Sequence, residues 1–112
     1  MNNEIIVKDG VVFKKINLMA MDFFDVLIRC GNLLNKDMVI TSANDGEHHG
    51  NGSNNSLHYE NKAWDIRTHH LTGQEKLAME QFLKRELGDE WDVLMEGVGT
   101  DMEHEHVEYD PK

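Results

Sequence analysis

The sequence predicts a small α+β domain with a mostly antiparallel sheet and two main helices. Three observations lead there. Short β-branched and aromatic runs ("DMVITS", "KAWDIR", "EWDVLMEG", "HEHVEY") alternate with two longer stretches of helical spacing. The last two runs follow each other closely, as in an antiparallel hairpin. At 112 residues the chain has the length of one domain, residues 1–112, with one core.

Each element has its own justification. "EIIVKDGVVFKK" reads as a strand, a tight Asp9-Gly10 turn and a second short strand. Residues 17–35 read as a helix capped by Asn17, with Leu18, Met21, Val26, Ile28, Leu33 and Leu34 as its apolar face. "DMVITS" is a short buried strand. Residues 43–56, "ANDGEHHGNGSNNS", have no apolar periodicity and read as a loop of the length that often carries function. "KAWDIR" is a strand. In "TGQEKLAMEQFLKREL", Thr72 and Glu75 form a capping box, Leu77, Phe82, Leu83 and Leu87 make the apolar face, and Gly88 ends the helix. "EWDVLMEG" and "HEHVEY" are strands joined by "VGTDME".

Composition narrows the function classes. A net charge of −10 repels a phosphate backbone, so no nucleic-acid partner is expected; the same charge attracts divalent cations. No apolar run approaches the ~20 residues of a membrane span. The amino terminus lacks the basic region and apolar core of a signal peptide. Cytoplasmic synthesis is expected, with any export by another route. Cys30 is the single cysteine, so no internal disulfide forms and a cysteine-rich zinc site is ruled out; in "DVLIRCGNLL" it reads as a buried small hydrophobe.

Histidine is concentrated in two places. "SLHYENKAWDIRTHHL" holds His58, Asp65, His69 and His70, and "DMEHEHVEYD" holds His104 and His106 among acids. Imidazole and carboxylate are both zinc ligands. His58 and Asp65, seven apart, share a metal only if His58 lies on the loop before the strand. His104 and His106, two apart on a strand, point to one face; if one binds a metal, the other stands ~7 Å along, within reach of a water or substrate. His58, Asp65 and one terminal histidine would supply the three protein ligands of a catalytic zinc site. On spacing alone, the competing reading is a solvated acidic face with scattered histidines.

"SLHYENKAWD" resembles the Ser-x-His-x-x-Gly-x-Ala-x-Asp signature of the zinc D-Ala-D-Ala carboxypeptidase family, which includes phage L-alanyl-D-glutamate endopeptidases. The likeness is closer to the amino-terminal signalling domain of hedgehog proteins, which share that fold and zinc site. It extends through "ITSANDGEHHGNGSNNSLHYENKAWDIRT" to the His-x-His of "HEHVEY", about residues 37 to 110. The resemblance implies a zinc ion held by His58, Asp65 and His106, with His104 beside the zinc water. It implies a general base just before the third ligand: Glu103 at the spacing of the peptidases, slightly favoured, or Glu96 at the hedgehog-like position. His49 matches a further histidine at the rim of the hedgehog cleft. Asn61 replaces the signature glycine, and "TSANDG" replaces a segment whose arginine often contacts the substrate carboxylate; Arg67 is a substitute for it or a partner of the ligand shell. The function so implied is hydrolysis of a peptide bond in peptidoglycan stem peptides, as endopeptidase or D,D-carboxypeptidase, by a monomeric phage or prophage product acting at the wall on release. The other reading, of a different class, is a non-catalytic zinc-bearing binding or virion structural domain.

Overall fold

The computed structural model describes residues 3–13, 16–43 and 63–111. Seven elements are present: β1 (Ile5–Val7), α1 (Leu18–Leu34), β2 (Met38–Ser42), β3 (Ala63–Arg67), α2 (Gly73–Leu87), β4 (Trp91–Glu96) and β5 (His104–Tyr109). The strands form one sheet in the order β1-β2-β3-β5-β4. β1 runs parallel to β2, and every other pairing is antiparallel. The predicted α+β class with two helices and a mostly antiparallel sheet is what the chain adopts.

The helices end where side-chain chemistry ends them. Asn17 Oδ1 accepts the Ala20 amide at 2.9 Å, satisfying one of the first-turn donors of α1. At the other end Asn35 turns left-handed (φ 56°), and Lys36 donates its amide to the Gly31 carbonyl. The Gly31 Cβ position would lie 2.8 Å from the Lys36 carbonyl oxygen, so no larger residue fits beneath this turn. α2 starts on the full capping box: Thr72 Oγ1 accepts from the Glu75 amide while Glu75 accepts from the Thr72 amide.

Alternation along the strands divides the sheet into two faces. Trp64, Ile66, Val93 and Val107 point to the helices and are buried with Phe23, Leu27, Cys30, Met79 and Leu83. Trp64 stacks on Phe23 with ring centroids 4.5 Å apart, and Trp91 extends the aromatic layer to Tyr109. The other face carries Asp65, His104, His106 and their neighbours. No helix among the described residues is long and apolar enough to cross a membrane.

Two expectations about the first third of the chain are corrected. Asp9 and Gly10 do form a turn, but residues 11–13 are not a strand, and β1 pairs with β2 across α1 rather than folding into a hairpin. The buried face of α1 is Ala20, Phe23, Val26, Leu27, Cys30 and Gly31, whereas Leu18, Met21 and Leu33 are exposed. Small residues hold part of that face because the helix approaches the chain closely there. In α2 Leu77 is likewise exposed, and Met79 takes the buried place beside Leu83.

Candidate metal centre

The site is built by cross-strand register. On β3 and β5, Asp65 stands opposite His106 and Arg67 opposite His104; on β4 and β5, Glu96 stands opposite His104. Directly paired residues project to the same face, so these five residues of three strands meet on the face away from the helices. An irregularity between Ile40 and Ser42 of β2 brings Ser42 opposite Asp65 at the border of this group.

Asp65, His104 and His106 each offer a ligand atom, and these atoms lie within 4.8 Å of one another. Asp65 Oδ1 is 2.8 Å from His106 Nδ1 and 3.6 Å from His104 Nε2. Two ligands of a tetrahedral ion with bonds of ~2.0 Å stand ~3.3 Å apart. One carboxylate and two imidazoles are donor types that suit a borderline-soft ion such as zinc, with Asp65 and His106 closer together here than two ligands of one ion stand.

Carboxylates surround both rings. His106 has Asp65 on Nδ1 and Glu108 on Nε2 at 2.6 Å, and Asp65 above all, with Glu108, pushes its pKa up to about 9 against some loss of hydration. His104 Nδ1 lies 2.7 Å from the Met102 carbonyl, an acceptor only, so that nitrogen carries the hydrogen. Its Nε2 is then directed at Glu96 Oε1, 3.0 Å away.

The two acids expected as alternative bases are placed very differently. Glu96 is at the histidine face and 43% exposed. Glu103 is buried, and its carboxylate is engaged by Lys76 Nζ of α2, by the Thr68 hydroxyl at 2.9 Å and by the Gly99 amide at 3.3 Å. The Lys76 ammonium first, then Thr68 and Gly99, hold the Glu103 pKa down at about 2. Spacing along the sequence puts Glu103 near the third ligand; its carboxylate, paired with Lys76, lies in the seam between α2 and the β4–β5 turn, whereas that of Glu96 lies beside His104.

His58 and His49 lie outside the described residues, as do Asn61 and the rest of the signature before Ala63. Arg67 borders a cavity of about 370 Å³ with Asp65, His104 and Lys8. His69 and His70 are exposed, each with Nε2 2.9 Å from a backbone carbonyl, of Asp101 and Asp37 respectively. Glu108 was not anticipated at the site. The same two-residue alternation that joins His104 to His106 continues to it. Comparison with protein-family models, with characterised proteins and with solved structures finds no match to this chain.

Proposed function

We propose that this chain is a zinc-dependent peptidase acting on peptidoglycan stem peptides. The observation that carries the reading is the convergence of Asp65, His104 and His106 within 4.8 Å, with the Glu96 carboxylate 3.0 Å from His104. Asp65 and His106 would hold the metal, with His58 completing the set. Bound zinc would supply Lewis acidity toward a peptide carbonyl and toward water.

The chain's own groups do the remaining work. Asp65 contributes a negative charge beside two imidazoles, which attracts a dication and also the His106 proton that a metal would have to displace. Glu96, part-exposed and on the same face, takes a proton from the attacking water and passes it to the leaving amine. His104, its ring fixed by the Met102 carbonyl, would stabilise the negative charge that develops on the substrate oxygen as the imidazolium, in which Nε2 also carries a hydrogen to donate. Glu103 takes no part in proton transfer; through Lys76 and Thr68 it anchors the residues leading into β5 and so sets the height of His104.

Digestion of purified peptidoglycan with mass-spectrometric readout tests the proposal. Release of stem-peptide fragments that stops with a chelator and returns with zinc is the expected result. A chain that binds one zinc and leaves peptidoglycan intact would instead be a zinc-bearing binding domain.

A further inference from the structure

β4 is an edge strand whose outer side has no partner strand among the described residues. The Asp110 amide donates to the Glu90 carbonyl at 2.7 Å. Hydrogen-bonded pairs alternate in an antiparallel ladder, so the even-numbered residues of β4 bond to β5, and the backbone groups of Val93 and Met95 point outward. Edges of this kind are usually blunted by proline, charged side chains or a bulge. "WDVLME" has no proline, its register with β5 is unbroken, and its only charges, Asp92 and Glu96, are acidic.

A groove of about 540 Å³ follows this edge, with Lys84 and Asp89 on one side and His106 and Glu108 on the other. It thus runs from the end of α2 to the candidate metal centre. Its charge is mainly negative: Asp89, Asp92, Glu96 and Glu108 line it against Lys84 and His106, and oxygens of Asp92, Glu108 and Asp110 come within 4.8 Å of one another. On the face of the centre, β4 presents the row Asp92, Leu94, Glu96, with Leu94 55% exposed.

We propose that β4 docks an extended cationic peptide as a sixth, antiparallel strand. Ammonium-bearing side chains lie opposite Asp92 and Glu96, and an apolar side chain lies between them opposite Leu94. Backbone hydrogen bonds to Val93 and Met95 supply the sequence-independent part of binding, and the acidic row supplies the selection. A second copy of this chain does not suit the edge, because two acidic rows on chains of net charge −10 would face each other. As substrate delivery the docking rests on the peptidase reading; as a docking edge it stands on the ladder, the groove and the charge.

The test uses the ¹⁵N-labelled full chain and acetyl-Lys-Thr-Val-Thr-Lys-amide. Saturable shifts and slowed hydrogen exchange at the Val93 and Met95 amides are expected. The same peptide N-methylated at both threonines, whose amides would face β4, should not bind, and neither should its Glu-for-Lys counterpart. Asp92→Asn should weaken binding roughly two- to fivefold, and added salt should weaken it further. Equal binding of the N-methylated or the acidic peptide overturns the proposal, as does absence of saturation at millimolar peptide. Exchange protection at the same amides that rises with protein concentration alone would make a second copy the occupant and overturn it too. Binding is read without turnover, so its loss leaves the peptidase reading standing, and a peptide that docks uncleaved leaves the docking standing.

Discussion

Asp65 and His106 face each other across the β3–β5 ladder, with carboxylate oxygen and ring nitrogen 2.8 Å apart. Neither needs the flexible reach of a long side chain, because backbone pairing presents both. Asp65→Asn and His106→Ala should each weaken zinc binding by more than about 100-fold, beyond the 10–100-fold typical of partners that only orient a ligand. Competition against a chromogenic chelator measures this, and stoichiometric zinc retained by both variants would remove them from the ligand set.

A zinc ion bound as proposed would compete with a proton for His106. The ring is held protonated to about pH 9 by Asp65 and Glu108, against an ordinary value near ~6.5. Because the folded pKa is raised, this contribution to stability is complete below the unfolded pKa and is lost as pH rises through about 9. Metal needs the neutral ring, so affinity should climb with pH across that window, and binding at pH 7 should release close to one proton from His106. Calorimetry in buffers of different ionisation enthalpy reads the proton count; a count independent of His106, judged with His106→Gln, would contradict this.

Glu96→Gln and Glu103→Gln should fail in different ways. The first should keep fold and zinc and lose roughly 10²–10⁴-fold in kcat, the range for a general base. The second should lower thermal stability, because Lys76 loses its charged partner, while retaining turnover at temperatures where it is folded. The depressed Glu103 pKa gives a stability contribution present above the unfolded value and lost as pH falls toward about 2, and Glu103→Gln should flatten the acid limb of the unfolding curve. A dead Glu103→Gln with an active Glu96→Gln would reverse the assignment.

Glu105 is a carboxyl in the core. It is fully buried between the sheet and α2, and neither oxygen has a hydrogen-bond partner among the described residues. Burial first, then Glu80, pushes its pKa up to about 9, against weaker opposing pulls from Lys84 and His106. The unfolded chain gives up this proton near ~4.3 and the folded chain keeps it, so stability falls as pH rises from there toward 9. Glu105→Gln should remove that part of the slope, leaving the part due to His106. Glu105→Leu should be more stable by roughly 1–3 kcal/mol at pH 7, the cost of a buried unpaired polar group. Urea unfolding of the three proteins at several pH values decides it; a destabilised Glu105→Leu would show that the carboxyl is needed where it is.

Legibility in the sequence followed the range of the interactions. α2 and the cap of α1 are set by neighbours three residues apart, and Thr72, Glu75 and Asn17 announced them. The terminal hairpin and the shared face of His104 and His106 follow from strand alternation, a local rule. The pairing of β1 with β2 depends on α1 folding between them, and no local pattern in "EIIVKDGVVFKK" encodes it. The surroundings of Glu103 were illegible for a related reason: its distance from His106 along the chain says nothing of Lys76, which reaches it from another element. The buried face of α1 follows the frame of Ala20, Phe23, Leu27 and Cys30, which periodicity alone does not select because this helix carries apolar residues on nearly every side.

The placing of β5 also makes its chemistry a matter of odd and even. His104, His106 and Glu108 lie on one face; Glu105, Val107 and Tyr109 lie on the other. One residue added to or removed from the 97–103 turn would exchange the two sets, sending imidazoles into the helix-packed layer and the core residues out. The turn resists such slippage: Gly97 adopts φ 66°, and a Cβ there would come within 2.9 Å of the Met102 carbonyl oxygen. Length changes in this turn should therefore survive only in steps of two, so that a turn which supplies no ligand would govern the inheritance of the site as strictly as the ligands do.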